Sequence, residues 1–493
     1  MARWRNRNTR VVMRTTVIIL SFFCVLVASR RTYKAAVVNY VPHHKYVNND
    51  SEIIKENTSK FSYYIEECIK CDIVIFPEYS LFSKDFNRAF VRELAIKVPT
   101  PPAVGICSQG SNNFITRMSC ISKQFEKYVV VNILEIDDGN LYNTNIVFDR
   151  EGTLISKYRK RHLSVGEQQF LTPGQDSVIF YTDFEGAFSL LIGEDVLYAG
   201  SDGLAPNVIL TTSLKSKLPF FGALSIYDGF SKHYGVNLLV ADYNAQPEQN
   251  GASGFYLASN STKSEITTSQ ETSKPIESII ETHPKFLDIC HREEQSPKGI
   301  FAYKPNTIEK DSSVKEDFKN YRFQPLKNGA NELKLVSSDG KLLCEFKVNI
   351  ILVPDMIYVA AVYSDKESQG YGCAVLVCEG SDLNTCGGRH LQSKSVQITS
   401  IEIKADNKNV DFKNPNIPIT LTYDLKPIGM YTYCADDDGI TMKSSQHLSD
   451  IITFGFFGRN PIGFNDPSKP NSAHLNGVSL ALSLLAATLY LLH

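Results

Sequence analysis

The sequence predicts a layered α/β domain followed by a second, β-rich domain pinned by disulfides. Three observations carry this. From Tyr33 to about Ala258, short continuous apolar runs alternate with stretches of helical spacing, the pattern of strands buried on both faces. After about Asn306, apolar and polar residues alternate instead, the period of half-buried strands. Cys290, Cys344, Cys373, Cys378, Cys386 and Cys434 all fall in or just before that later region.

The elements follow in order. Ala35 to Val41 is a β-branched run and reads as the first strand. Asp50 to Lys70 has helical spacing with acidic residues early, where they suit the positive end of the helix dipole. Asp72 to Phe76 reads as a second buried strand, closed by Pro77-Glu78. Tyr128 to Leu134, Asn145 to Phe148, Phe188 to Ile192, Val208 to Thr212 and Asn237 to Ala241 continue the series. Between Asn260 and Pro284 the chain turns Ser/Thr-rich and reads as a surface excursion outside the core. In the second domain, Lys341 to Asn349, Tyr358 to Tyr363 and Val396 to Ile403 read as strands.

Both ends read as processing signals. Residues 1–29 have a basic start (Arg3, Arg5, Arg7, Arg10, Arg14), an apolar run from Val17 to Val27, and small residues at Ala28-Ser29, the plan of a secretory signal peptide. A retained N-terminal anchor is the competing reading, although the run falls short of the ~20 residues a span needs. Val478 to Leu492 is an uncharged apolar run preceded by the small residues Asn471-Ser472-Ala473. That is the plan of a GPI-attachment signal, with Asn471 or Ser472 as the attachment residue; a transmembrane tail and a buried helix are the alternatives. The expected division is therefore signal peptide 1–29, α/β domain 30–305, β-rich domain 306–460, and spacer plus attachment signal 461–493, with the mature protein on the extracellular face of the cell membrane.

The 493-residue chain has 51 basic and 53 acidic residues and 43% hydrophobic content, which excludes a disordered chain and a polytopic membrane protein. Removing five signal-peptide arginines leaves 46 basic against 53 acidic residues, a charge of −7. That balance argues against nucleic acid as a partner. Ten cysteines remain after Cys24 is removed with the signal, and an even count in an oxidising compartment points to disulfides. A zinc site at Cys373, Cys378 and Cys386 is the competing reading. Asn49, Asn57 and Asn260 head glycosylation acceptor triplets.

Four segments carry chemistry when taken as an ordered set: Phe76-Pro77-Glu78; Phe148 to Gly152 with Lys157-Tyr158-Arg159-Lys160; Gly166-Glu167-Gln168-Gln169-Phe170; and Ile192-Gly193-Glu194-Asp195-Val196. Their order and spacing resemble the nitrilase (carbon–nitrogen hydrolase) superfamily. Met118 to Lys123 with Tyr128 to Ile133, and the secreted, lipid-anchored plan, resemble its vanin/biotinidase branch in the insect type. The resemblance implies a four-layer α-β-β-α sandwich over about residues 32–305, and a Glu, Lys and Cys converging at one site. In such a site the Cys thiolate attacks an amide or nitrile carbon, the Glu is the base, and the Lys stabilises the tetrahedral intermediate.

Carried onto this chain, Glu78 matches the base, Lys160 the lysine and Glu167 a supporting carboxylate. The nucleophile does not match: Gly193 stands at the cysteine position, two residues before Asp195, and no Cys lies between Cys120 and Cys290. Glu194 adds another carboxylate beside Glu78. The expectation is a pseudoenzyme, a vanin-like binding or scaffold protein for a small-molecule ligand. The alternative is an active amidohydrolase on pantetheine- or biotinyl-amide-like substrates, which would need an unexpected nucleophile near Lys160. An adhesion role for the β-rich domain is a third. No metal and no cofactor is called for.

Overall fold

A computed structural model describes residues 32–40, 50–82, 88–110, 113–200, 203–216, 220–243, 252–258, 266–267, 274–284, 289–290, 318–352, 356–366, 369–378, 385–386, 396–406, 415–423, 426–436 and 438–459. The processing signals, Asn49, Asn260, Asn471 and Ser472 lie outside them. Among the described residues, no helix is long and apolar enough to cross a membrane.

The first domain is built from β1 (Thr32–Asn39), α1 (Asp50–Glu67), β2 (Ile73–Ile75), α2 (Arg88–Leu94), α3 (Phe114–Phe125), β3 (Tyr128–Asp137), β4 (Asn140–Phe148), β5 (Leu154–Arg159), β6 (Ile179–Tyr181), β7 (Ala187–Ile192), β8 (Asn207–Thr212), α4 (Ala223–Tyr234), β9 (Asn237–Asp242), β10 (Ser253–Tyr256), β11 (Ile266–Thr267) and β12 (Lys274–Glu281). These strands form two sheets, in the orders β12-β1-β2-β3-β4-β5 and β11-β10-β9-β8-β7-β6.

Alternation along each strand dictates the layers, since neighbouring residues point to opposite faces. Ala35, Val37, Ile73, Ile75 and Val130 of the first sheet pack against Phe188, Leu190, Ile192, Ile209 and Leu239 of the second. The other faces pack outward. Val38, Val74 and Val131 meet Phe61 and Ile65 of α1 and Met118 of α3. Leu191, Leu210 and Val240 meet Ile226, Tyr227 and Phe230 of α4. The result is the α-β-β-α sandwich.

The segment expected to be a surface excursion is corrected by β12. It pairs antiparallel with β1 along all eight residues, with Ile276 and Ile280 buried between the sheets. Ser/Thr composition hid the alternation of Ile276, Ile280 and their neighbours. Asn57 is likewise corrected as a surface glycan acceptor. It sits inside α1, fully buried, accepting from the Tyr40 hydroxyl and donating its Nδ2 to Leu81 O at 2.8 Å. The nitrogen that would carry a glycan faces the core.

The second domain comprises β13 (Tyr321–Pro325), β14 (Gly329–Val336), β15 (Leu343–Ile351), β16 (Ile357–Asp365), β17 (Gly370–Cys378), β18 (Gln397–Asp406), β19 (Asn416–Thr422), β20 (Tyr431–Asp436), β21 (Gly439–Ser444), β22 (Leu448–Ser449) and β23 (Ile451–Arg459). They form sheets in the orders β13-β16-β17-β23-β19 and β14-β15-β18-β21-β20, with β22 beside β18. Cys344 of β15 bonds to Cys373 of β17, tying one sheet to the other. Cys378 pairs with Cys386, Cys290 with Cys434, Cys68 with Cys71 and Cys107 with Cys120. The zinc reading of Cys373, Cys378 and Cys386 falls, because no thiolate is left to ligate a metal. On the second sheet's outer face Glu332, Lys347, Glu402 and Lys443 stand in one row across four strands. Opposite charges at paired positions keep that face solvated.

The two domains join along α4. Gly229 faces the Pro418 carbonyl of β19 with no room for a Cβ, so only glycine lets the helix approach so closely. Ser225 Oγ donates to Thr420 O at 3.1 Å beside it.

Candidate functional site

The four residues singled out from the sequence meet at one end of the two sheets. Glu78 follows β2, Lys160 follows β5, and Gly193 follows β7; Glu167 begins a short 3₁₀ turn. β2 and β7 run parallel to their neighbours β1 and β8, so Glu78 and Gly193 stand at carboxyl ends of parallel strands, where α/β folds place their sites.

Lys160 is the hub. Its Nζ donates to Glu78 Oε1 at 2.9 Å and to Glu167 Oε1 and Oε2 at 3.0 and 2.9 Å. An ammonium has three protons to give, and these three carboxylate oxygens receive them. Burial alone would depress the ammonium, but the carboxylates of Glu167, Glu78 and Glu194 outweigh it and hold its pKa above the ordinary lysine range. For Glu167, burial pushes up, while the Lys160 charge and hydrogen bonds from Tyr79, Lys160 and the Ser164 amide prevail and hold it low.

A network of asparagines, legible only as polar interruptions in apolar strands, fixes the base. Asn143 Nδ2 donates to Glu78 Oε1 at 2.9 Å and to Glu167 Oε1 at 3.2 Å. Asn132 Nδ2 donates to Asn143 Oδ1 at 2.7 Å, and its Oδ1 accepts from the Tyr79 amide at 3.0 Å. Tyr79 has φ 57°, unusual for a bulky residue, and strain of this kind is held in place by such surroundings. Asn145 accepts from Thr211 Oγ1 at 2.9 Å, stitching the first sheet to the second. The sequence alone gives these asparagines no hydrogen-bonding role, nor does it show that Ser213 Oγ donates to Glu78 Oε2, at 2.8 Å.

Gly193 sits where a reacting side chain would. Its φ is 52°, and a Cβ built on it would stand 2.8 Å from Lys160 Nζ and 3.0 Å from Glu78 Oε2. The strand-to-3₁₀ elbow that carries it is clamped by Asp195. That buried carboxylate accepts from the Ile192 amide at 3.1 Å, the Tyr158 hydroxyl at 2.7 Å, and the His162 amide and Nδ1, both at 2.8 Å. His162 thereby takes a structural place, stacked 4.2 Å from Tyr198. Arg459, at the end of β23, donates to the Tyr198 hydroxyl, so the second domain braces the elbow. Glu194 lies between: burial raises its pKa, opposed by the charges of Lys160 and Arg459.

Two family models match this chain: carbon-nitrogen hydrolase over residues 34–214 and the vanin C-terminal domain over residues 312–461. Among similar proteins, "Vanin-like protein 3" of Drosophila melanogaster is 24% identical over 510 residues, covering 91% of this chain and 93% of that one. The pantetheinase of Homo sapiens is 24% identical over 350 residues, covering 64% of this chain and 66% of that protein; that of Sus scrofa is 22% identical over 513 residues, covering 95% and 97%. The solved structure of Saccharomyces cerevisiae Nit3 aligns with 51% of this chain and 90% of its own, at 18% identity and a TM-score of 0.41. The sandwich, the clustered Glu78, Lys160 and Glu167, and the two matches in this order lead to one conclusion: the chain belongs to the carbon–nitrogen hydrolase family, in its vanin branch.

Proposed function

We propose that this protein is a vanin-like pseudoenzyme, GPI-anchored on the extracellular face of the cell membrane, which keeps its family's site without its covalent amide chemistry. The observation that carries the reading is Gly193. Its Cβ direction points at Lys160 Nζ and Glu78, the place from which a thiolate would act, and glycine offers no nucleophile. Losing a nucleophile costs covalent enzymes of comparable design up to about 10⁶-fold in turnover. The saturation of Lys160 by carboxylates supports the same reading, since an ammonium so engaged has little left for an oxyanion. The relatives named pantetheinase suggest a small pantetheine-like amide as the molecule the site would bind.

An amidase assay on the glycosylated protein, with pantetheine-like and biotinyl amides, tests this; turnover above background contradicts it. The anchor rests on the uncharged run from Val478 to Leu492. Phosphatidylinositol-specific phospholipase should release the protein from expressing cells. Retention on the cells, with the tail peptide present in the mature chain, contradicts the anchor.

A further inference from the structure

We propose that Ser213 is a latent acyl acceptor, a serine nucleophile served by Glu78 as base, which reacts with activated esters and thioesters in a site that does not turn over unactivated amides. The proposal rests on the reading that the cysteine chemistry is lost, and deepens it by naming what chemistry the remaining groups can still perform.

Ser213 directly follows β8, which runs parallel to β7 and β9, so it occupies the same rim as Glu78 and Gly193. Its Oγ donates to Glu78 Oε2 at 2.8 Å. The opposite oxygen of that carboxylate is held by Asn143 Nδ2 and Lys160 Nζ, each at 2.9 Å. A hydroxyl on a base, with the base oriented by further groups, is the general arrangement of an activated nucleophile. Its location also fits. A Cβ on Gly193 would stand 3.0 Å from the same Oε2, so Ser213 reaches the base from beside the vacated thiol position. Access favours it too: Ser213 is 9% exposed, against 1% for Glu78, 4% for Lys160 and 6% for Glu167.

The restriction to activated acyl groups follows from Lys160. With its donors committed to carboxylates, a tetrahedral oxyanion gains little from it, and a lost oxyanion donor costs about 10²–10³-fold. A good leaving group offsets that loss; an amide nitrogen does not. In the step, Ser213 Oγ bonds to the acyl carbon as Glu78 takes the hydroxyl proton. The C–O or C–S bond then breaks and the departing alcohol or thiol takes up that proton. The products are acyl-Ser213 and the free alcohol or thiol, with no change in oxidation state.

The test is covalent labelling of the intact glycosylated protein with p-nitrophenyl acetate and, separately, a fluorophosphonate, followed by peptide mass mapping. The expected result is an adduct on Ser213 that is absent in Ser213→Ala and forms about 10²-fold or more slowly in Glu78→Gln. Mapping on the unaltered chain does not depend on any variant folding. No adduct on Ser213 in the folded protein, or an adduct formed at an unchanged rate in Glu78→Gln, overturns the proposal. Turnover of pantetheine-like amides would instead overturn the pseudoenzyme reading, so the two failures are read separately.

Discussion

Gly193 and Lys160 contend for one small volume. A Cβ on Gly193 would stand 2.8 Å from the Lys160 Nζ, closer than side chains pack, and the ammonium is held there by Glu78 and Glu167. The glycine is thus more than an absent thiol: the lysine lies against the space a side chain would need.

Gly193→Cys should therefore destabilise the protein. The residue sits at φ 52°, where a non-glycine residue costs about 1–3 kcal/mol, and the Lys160 contacts must also yield. A lowered thermal midpoint checks this; an unchanged one contradicts the tight geometry.

Lys160→Met should cost about 3–5 kcal/mol at pH 7, because it leaves Glu78 and Glu167 buried without their cation. The pH dependence should invert as well. In the wild type Glu167 is held low, so its contribution is present above the ordinary glutamate value of about 4.3 and is lost as pH falls through the folded value. In Lys160→Met, acidification neutralises the stranded carboxylates and stability should rise as pH falls from 7 toward 4. Melting curves across that range decide it.

Asp195→Asn should loosen the elbow. An amide replaces one of the two accepting oxygens with a donor, facing either the Ile192 amide and Tyr158 hydroxyl or the His162 amide, at a cost of about 1–3 kcal/mol for a buried group left unsatisfied. The check is the denaturant midpoint, which should fall. Wild-type stability would show that the clamp is dispensable.

Asn57 should be found unglycosylated in the mature protein despite its acceptor triplet. Its Nδ2 is buried and bonded to Leu81 O. Glycopeptide mass spectrometry reads this directly, and an occupied Asn57 would contradict the packing of α1.

Much of this was legible in the sequence. Phe188 to Ile192 and Val208 to Thr212 announced themselves as strands because residues buried on both faces leave uninterrupted apolar runs. Glu78, Lys160 and Glu167 were found because motif order survives where identity is low. What escaped was whatever depends on tertiary pairing. Asn132, Asn143 and Asn145 look like flaws in apolar strands until both sheets are in place. Ser213 directly follows β8 with no local mark of its partner 135 residues earlier. Arg459 lies 261 residues from Tyr198, and only the packing of β23 brings them together. The strand β12 was missed because a Ser/Thr-rich context outweighed two buried isoleucines.

A vacant nucleophile position at Gly193 should leave this vanin fold without amidase turnover. The most direct measurement is hydrolysis of a pantetheine-like amide by the glycosylated wild-type protein, run beside Glu78→Ala. No turnover above background is expected in either. Robust wild-type turnover that disappears in Glu78→Ala would contradict it.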